Sequence, residues 1–260
     1  MARIDEQIQF DPDQLSSSVV GIAADVGTHD SGMHQHNKGQ LLYAPSGCMS
    51  FSLRDSLSVL PPTKAVWIPP NTEHRAMMTN VVAYRSLYFD TAKFKAPDKL
   101  TIIEVNELLK ALINTMALWQ WDKPEHEMTY YTQLFWQEFS LAKRERFELP
   151  LPNDRRLNRL MQQLSQDGFL LPELNQLANC VGASSKTISR IFKVQTGMSY
   201  QEWKQQWRVL KSIELLCQNS PVSDVAHRMD FSSDSAFIAF FRKQTGQTPL
   251  TFVRQNKIIN

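Results

Sequence analysis

The chain has 260 residues, 42% of them hydrophobic, and a formal net charge of +2. That length suits two globular domains, and the lack of any apolar run near 18 residues argues against a membrane-spanning helix. Cys48, Cys180 and Cys217 are too scattered for a metal or disulfide framework and read as reduced, buried thiols; with a polar, acidic Met1–Asp13 unlike a secretory signal, a cytoplasmic protein is expected.

Met1 to Ser18 reads as a loose arm. Beyond it, short apolar runs alternate with turn residues: Val19–Ile22, Gln40–Tyr43, Met49–Leu53, Ala65–Ile68, Arg75–Met78 and Ala83–Phe89. Many short strands predict a β-sandwich or barrel over residues 1–96. Two local patterns sharpen this: His34-Gln35-His36 followed by Gln40, and Ile68-Pro69-Pro70-Asn71-Thr72-Glu73-His74. Together they resemble the two motifs of cupins, in which two His, a Glu and a later His converge inside a jelly-roll barrel. The resemblance implies that His34, His36 and His74 meet. Three imidazoles can hold a divalent ion such as Zn²⁺, Fe²⁺ or Ni²⁺. Gln40 stands where metal-binding cupins carry Glu, and an amide is a weaker ligand than a carboxylate, so no metal is required. Without one, the three His would line a pocket or hydrogen-bond at its mouth. Tyr43, Trp67, Met49 and Met77 suit an apolar pocket wall and plain barrel core equally.

Ala96-Pro97-Asp98 marks a change of period. Val105, Leu108, Leu109, Leu112, Ile113, Met116 and Trp119 recur at helical spacing, Lys123-Pro124 breaks that helix, and Met128 to Arg146 reads as another. This stripe could merely cover the barrel. Trp119, Trp121 and Trp136 add more apolar area than a cover needs, so residues 97–147 are read as a dimerisation segment. Glu148 to Asn153, with Pro150 and Pro152, reads as a stiff linker to a second domain over 154–260, whose first helix, Asp154 to Gln166, turns Leu157, Leu160, Met161 and Leu164 inward.

Charge is divided between the halves. Residues 153–260 carry 14 Lys/Arg against 8 Asp/Glu, a net of +6, whereas residues 1–152 carry 14 against 18, a net of −4. The basic half also contains one unit twice. Leu177-Ala178 is matched by Val225-Ala226, Phe192-Lys193 by Phe241-Arg242, and Gln195-Thr196-Gly197 by Gln244-Thr245-Gly246. Each copy has the grammar of helix–turn–helix: a short helix with a buried Ala, a turn, and a second helix opening on a Ser N-cap. Gly182 suits the left-handed residue of the first turn, and Asp230 takes that place in the second, which is one residue longer. Between the copies, Ser199-Tyr200-Gln201-Glu202 is a capping box opening a helix that spans roughly 30 Å, near the ~34 Å between successive major grooves.

Leu174 to Arg254 resembles the double helix–turn–helix domain of AraC/XylS-type transcriptional regulators. The matching residues include Leu177-Ala178, Gly182, Ser184, Arg190-Ile191-Phe192-Lys193, Thr196-Gly197, Val225-Ala226, Phe231, Phe237, Phe240-Phe241-Arg242, Gly246 and Thr248-Pro249; Asp230 departs from the usual Gly. The implied architecture is an α+β two-domain chain: a cupin-like jelly-roll barrel with helices, then an all-α double helix–turn–helix. The implied function is a non-enzymatic regulator that binds double-stranded promoter DNA, answers to a small-molecule effector, pairs as a homodimer and can contact RNA polymerase. The effector pocket would draw on His34, His36, Gln40, Tyr43, Trp67 and His74. In the first reading helix, Lys186, Ser189 and Arg190 take the base-facing positions, with Ser185, Thr187 and Lys193 at phosphates. In the second, Asp234, Ser235, Ile238 and Ala239 make a poor reading surface, and Arg242 and Lys243 anchor the backbone. Two rivals remain: a metal-dependent cupin enzyme fused to a DNA-binding domain, disfavoured by Gln40, and a regulator controlled by a partner or by abundance.

Overall fold

A computed structural model describes residues 10–78, 82–145, 148–166 and 168–256. The strands of the N-terminal half are β1 (Val19–Val26), β2 (His29–Asp30), β3 (Gly39–Ser46), β4 (Met49–Leu53), β5 (Ser56–Leu60), β6 (Lys64–Ile68), β7 (His74–Met78), β8 (Val82–Phe89) and β9 (Thr101–Glu104). Helices α1 (Glu107–Ala117) and α2 (Glu125–Leu141) follow, then β10 (Arg144–Glu145) and β11 (Glu148–Pro150). The C-terminal half is helical: α3 (Asn158–Gln163), α4 (Leu174–Cys180), α5 (Ser185–Thr196), α6 (Tyr200–Cys217), α7 (Val222–Arg228), α8 (Asp234–Thr245) and α9 (Pro249–Asn256). By contacts the chain divides into two compact units, residues 54–59 grouping with 148–254 and the rest of the N-terminal half forming the other.

In the first unit β1-β8-β3-β6-β9-β10 form one antiparallel sheet, and β4 pairs with β7, which pairs with β2, in a second. Alternation along the strands separates two cores. Leu42 and Ala44 of β3, Val66 and Ile68 of β6, Met49 and Phe51 of β4, and Ala76 and Met78 of β7 pack together as one cluster. Leu41 and Tyr43 of β3, Ala65 and Trp67 of β6, and Leu87 and Phe89 of β8 face the other way and pack under Leu109, Ile113 and Met116 of α1 and Phe135 and Phe139 of α2.

Several expectations need correction. Tyr43 and Trp67 do not share a face with Gln40 and His74; they are fully buried beneath α1 and α2, with Trp67 Nε1 donating to Pro97 O at 2.9 Å. Residues 101–104, assigned to the helical segment, are β9, paired with β6. The second helix stops at Leu141 because Arg144–Glu145 pair with β9; Arg146 lies outside the described residues. Trp119 and Trp136 pack into the barrel-side core, and Trp121 Nε1 donates to Gly21 O at 3.0 Å, so these indoles are consumed within the chain. The described end of the arm is pinned: Asp13 accepts from Asn37 N and Lys38 N, and buried Lys38 donates through Nζ to Pro12 O at 2.7 Å and Leu15 O. Residues 1–9 of that arm lie outside the described residues. Of the thiols, Cys48 is buried but Cys180 is exposed.

In the second unit the expected linker is held in place. Glu148–Pro150 pair with β5, Leu149 is buried, and Leu151 N donates to Asp55 O at 2.7 Å. Pro150 O in turn accepts from Trp203 Nε1 of α6 at 2.6 Å. Leu157, Leu160 and Leu164 are buried as the helical spacing expects, although the first turn, Arg155–Leu157, is a 3₁₀ helix.

Candidate functional site

The repeated unit folds twice as helix–turn–helix. Ser184 Oγ accepts from Thr187 N and Ser233 Oγ from Ala236 N, each at 3.2 Å, so both second helices start on a Ser cap. Both end on a left-handed glycine, Gly197 at φ 74° and Gly246 at φ 79°. The turns carry Gly182 at φ 64° and Asp230 at φ 56°, the two positions matched in sequence. Ile188, Ile191 and Phe192 of α5, and Phe237 and Phe241 of α8, are buried.

The α6 helix links the copies. It opens on a complete capping box, Ser199 N donating to Glu202 Oε2 at 2.7 Å and Glu202 N to Ser199 Oγ at 3.2 Å. Its 18 residues span roughly 27 Å at the ~1.5 Å rise of an α-helix. Tyr200 OH donates to Pro172 O at 2.6 Å, and Lys204 Nζ to Glu173 Oε1 at 2.6 Å, fastening α6 to the entry of α4. The Arg208 guanidinium lies 3.8 Å above the Phe231 ring and donates to Met229 O, fastening α6 to the turn after α7. Burial lowers the Arg208 pKa from its ordinary value, opposed by the Asp230 and Glu173 charges. Sequence reasoning did not single out Tyr200, Lys204 and Arg208. Their spacing of four residues, one helical row, was the available signal.

The proposed reading residues are placed unevenly. Lys186 and Arg190 of α5 are exposed, and among the described residues neither is bonded to another side chain; Ser189 between them is half-buried. Ser185 Oγ donates to Asn175 Oδ1 at 2.6 Å, Thr187 Oγ1 shares a hydrogen bond with Ser184 Oγ, and Lys193 Nζ donates to Gly197 O at the end of its own helix. Ser185 thus ties α5 to α4 while Thr187 and Lys193 are engaged at the two ends of α5, and a phosphate would have to share them. On α8, Asp234, Ser235 and Ala239 are exposed and Ile238 is half-buried; Arg242 and Lys243 are exposed in its last turn.

In the barrel, His34 and His74 face each other through an isolated antiparallel bridge, and the His34, His36 and His74 rings lie with centroids 4.3–6.1 Å apart. His74 is fully buried, and that burial pulls its pKa from 6.5 down to about 4, partly opposed by its bond to the Thr72 carbonyl. Gln40 extends the cluster: its Oε1 lies 3.0 Å from His36 Nε2, and its Nε2 donates to Ser86 Oγ at 2.8 Å and Tyr88 OH at 2.9 Å. Tyr84 OH is 3.4 Å away. Burial raises the Tyr84 and Tyr88 phenols above their ordinary pKa, well above for Tyr88, so both are kept as uncharged hydroxyls. Tyr84, Ser86 and Tyr88 escaped sequence reasoning, although their spacing of two on one strand put three hydroxyls on one face. Glu73 does not join the cluster of His that could hold a metal among the described residues.

A pinned double helix–turn–helix following a barrel with an interior polar cluster defines a two-domain DNA-binding regulator with a ligand-binding domain. Comparisons agree. The family model of the AraC-like ligand binding domain matches residues 16–168, and that of a helix-turn-helix domain matches 177–255. The HTH-type transcriptional regulator NimR of Escherichia coli is 26% identical over 247 residues, covering 94% of this chain and 90% of its own length. RipA of Corynebacterium glutamicum is 34% identical over 103 residues, 40% of this chain and 31% of its own. Among solved structures, ToxT from Vibrio cholerae aligns over 93% of this chain and 100% of its own at 10% identity and a TM-score of 0.39. The chain belongs to the AraC family of DNA-binding transcription regulators. No described helix is long and apolar enough to cross a membrane.

Proposed function

We propose that this chain is a cytoplasmic, non-enzymatic, homodimeric regulator that reads promoter DNA mainly through α5 and is switched by a small molecule bound at the polar end of the barrel. The observation that carries the reading is the contrast between the two second helices. Lys186 and Arg190 stand exposed and unengaged on α5, with the donor groups that match guanine O6 and N7. At the matching positions of α8, Ile238 and Ala239 can touch thymine methyls or lie against the backbone, Asp234 can accept from cytosine N4 but repels phosphate, and none of the four, Ser235 included, is a cationic donor. Arg242 and Lys243 then serve as phosphate anchors, which position without specifying sequence.

The pairing surface is the outer row of α2. Tyr130 is 81% and Leu141 73% exposed, and with Leu134 and Gln137 they follow a 4-3-4 spacing. That is the spacing of a seam between two helices, and a second copy offers the same row in return. On the effector side, His36, Gln40, Ser86 and Tyr88 supply a few convergent polar groups beside apolar walls, the chemistry of small-molecule recognition. RNA polymerase is the partner expected if the regulator activates.

The test is selection of bound DNA from a random library, followed by anisotropy titrations with Arg190→Ala, Lys186→Ala and Ala239→Ser. The α5 variants are expected to lose preference for the selected site, with Ala239→Ser keeping it. Equal loss of specificity from both helices would refute the assignment to α5.

A further inference from the structure

We propose that His34, His36 and His74 form a binding site for one divalent first-row transition-metal ion, held through the Nε2 atom of each ring. One ring nitrogen from each of the three lies within 4.8 Å of the others. The orientation of the rings decides which nitrogen. His34 Nδ1 lies 3.1 Å from Gly32 O, His36 Nδ1 2.5 Å from Lys38 O, and His74 Nδ1 2.8 Å from Thr72 O. All three bonds run to a backbone carbonyl two residues away. Each fixes the proton on Nδ1 and leaves the lone pair on Nε2, the arrangement that orients a metal-binding imidazole.

Two atoms are then left wanting a cation. His74 Nε2 is buried and has no hydrogen-bond partner among the described residues, a condition that buried nitrogens rarely tolerate without an unplaced ligand. His36 Nε2 faces Gln40 Oε1 at 3.0 Å, so in this tautomer two lone-pair atoms oppose each other. A positive ion beside them relieves that contact; so would rotation of the Gln40 amide, which Ser86 and Tyr88 resist only through hydroxyls that can reverse. The donor set is all imidazole. It favours Zn²⁺, Ni²⁺, Co²⁺ or Cu²⁺ over Mg²⁺ and Ca²⁺, which take oxygen ligands.

This site does not depend on the effector reading, and its test is made without DNA. Full-length protein carrying Cys180→Ser, which removes the exposed thiol, is stripped with chelator and dialysed against Zn²⁺ or Co²⁺ at micromolar concentration. Metal content by mass spectrometry and the visible bands of Co²⁺ are the readouts. The expected result is about one ion per chain, with His34→Ala weakening binding at least tenfold. His34 is only half-buried, so that variant should keep its fold, checked by circular dichroism; His74→Gln supplies a second loss, and His29→Ala, outside the cluster, leaves binding unchanged. Absence of binding, or binding indifferent to both His34→Ala and His74→Gln, overturns the proposal. About one ion per chain, lost in both His34→Ala and His74→Gln, upholds the site.

Discussion

The Gly21→Ala substitution isolates how the helices are seated on the barrel. Gly21 lies in β1, where its backbone φ is not in the left-handed region, so alanine suits the strand itself. The obstacle is across the interface: a Cβ there would sit 2.1 Å from Met116 O and 2.7 Å from Ala117 Cα, both backbone atoms of α1. Carbon contacts settle at about 3.5–4.0 Å, so the end of α1 must retreat by roughly 1 Å or more. Leu109, Ile113, Met116 and Ala117 are fully buried on that helix and would lose contact along its length. Overpacking of this kind costs typically ~1–3 kcal/mol, and a backbone target places this case near the top of that range. For a domain of this size, about 3 kcal/mol lowers the thermal midpoint by roughly 6–12 °C. Differential scanning calorimetry of the full chain should show the barrel transition falling by that much. Specific DNA affinity measured well below the transition should hold, because the core around Phe192, Trp203 and Phe241 lies in the other unit. A shift under about 2 °C would refute the claim that β1 and α1 are locked at this glycine.

Other consequences are open to direct measurement. Arg190→Ala should cost about 1–3 kcal/mol of discrimination between the selected site and random DNA, whereas Arg242→Ala should weaken both alike and flatten the salt dependence, as anisotropy at several salt concentrations would reveal. Leu134→Lys should shift sedimentation toward the monomer without altering the circular dichroism spectrum. Trp203→Phe removes the donor to Pro150 O and should cost about 1 kcal/mol in urea unfolding followed by Tyr and Trp fluorescence. The Asp30 carboxyl is held at about 2, below its ordinary 3.8, chiefly by its hydrogen bond from Arg75 and then by the Gly32 N–H. A depressed carboxylate stabilises the fold above the unfolded value and loses that contribution as pH falls from about 4 toward 2; because the pair is exposed, Asp30→Asn should cost under ~1 kcal/mol at pH 7. Titration of the Asp30 carboxyl carbon by NMR checks the direction.

The helical half was legible because its information is local. Ser184 and Ser233 caps, left-handed Gly182 and Asp230, closing Gly197 and Gly246, and buried Phe192 and Phe241 each depend on residues within a few positions, and the repeat states them twice. The barrel was legible in kind but less so in detail. Gln40 and Tyr43 are three apart on one strand, so alternation alone placed them on opposite faces; that parity could have removed Tyr43 from the pocket. Thr101-Ile102-Ile103 carried only a short β-branched run, and Glu148–Pro150 no strand signal; each is completed as a strand by a partner far away in the chain, β6 for the first and β5 for the second. The surplus of indoles was also misread, because Trp119, Trp121 and Trp136 are used up in their own unit while Tyr130, Leu134 and Leu141 form the exposed row.

The sequence by itself determined the family, the double helix–turn–helix with its caps and turns, and the three histidines that could meet. These follow from residue type and short spacing. Tertiary structure alone decided that the Nδ1 atoms of those histidines are occupied by backbone carbonyls, that Gln40 turns toward Ser86 and Tyr88, and that the stretch after Phe147 is bonded rather than free. The reason is physical: a side chain's free nitrogen, and a strand's partner, are set by groups distant in sequence that only packing brings within hydrogen-bond reach.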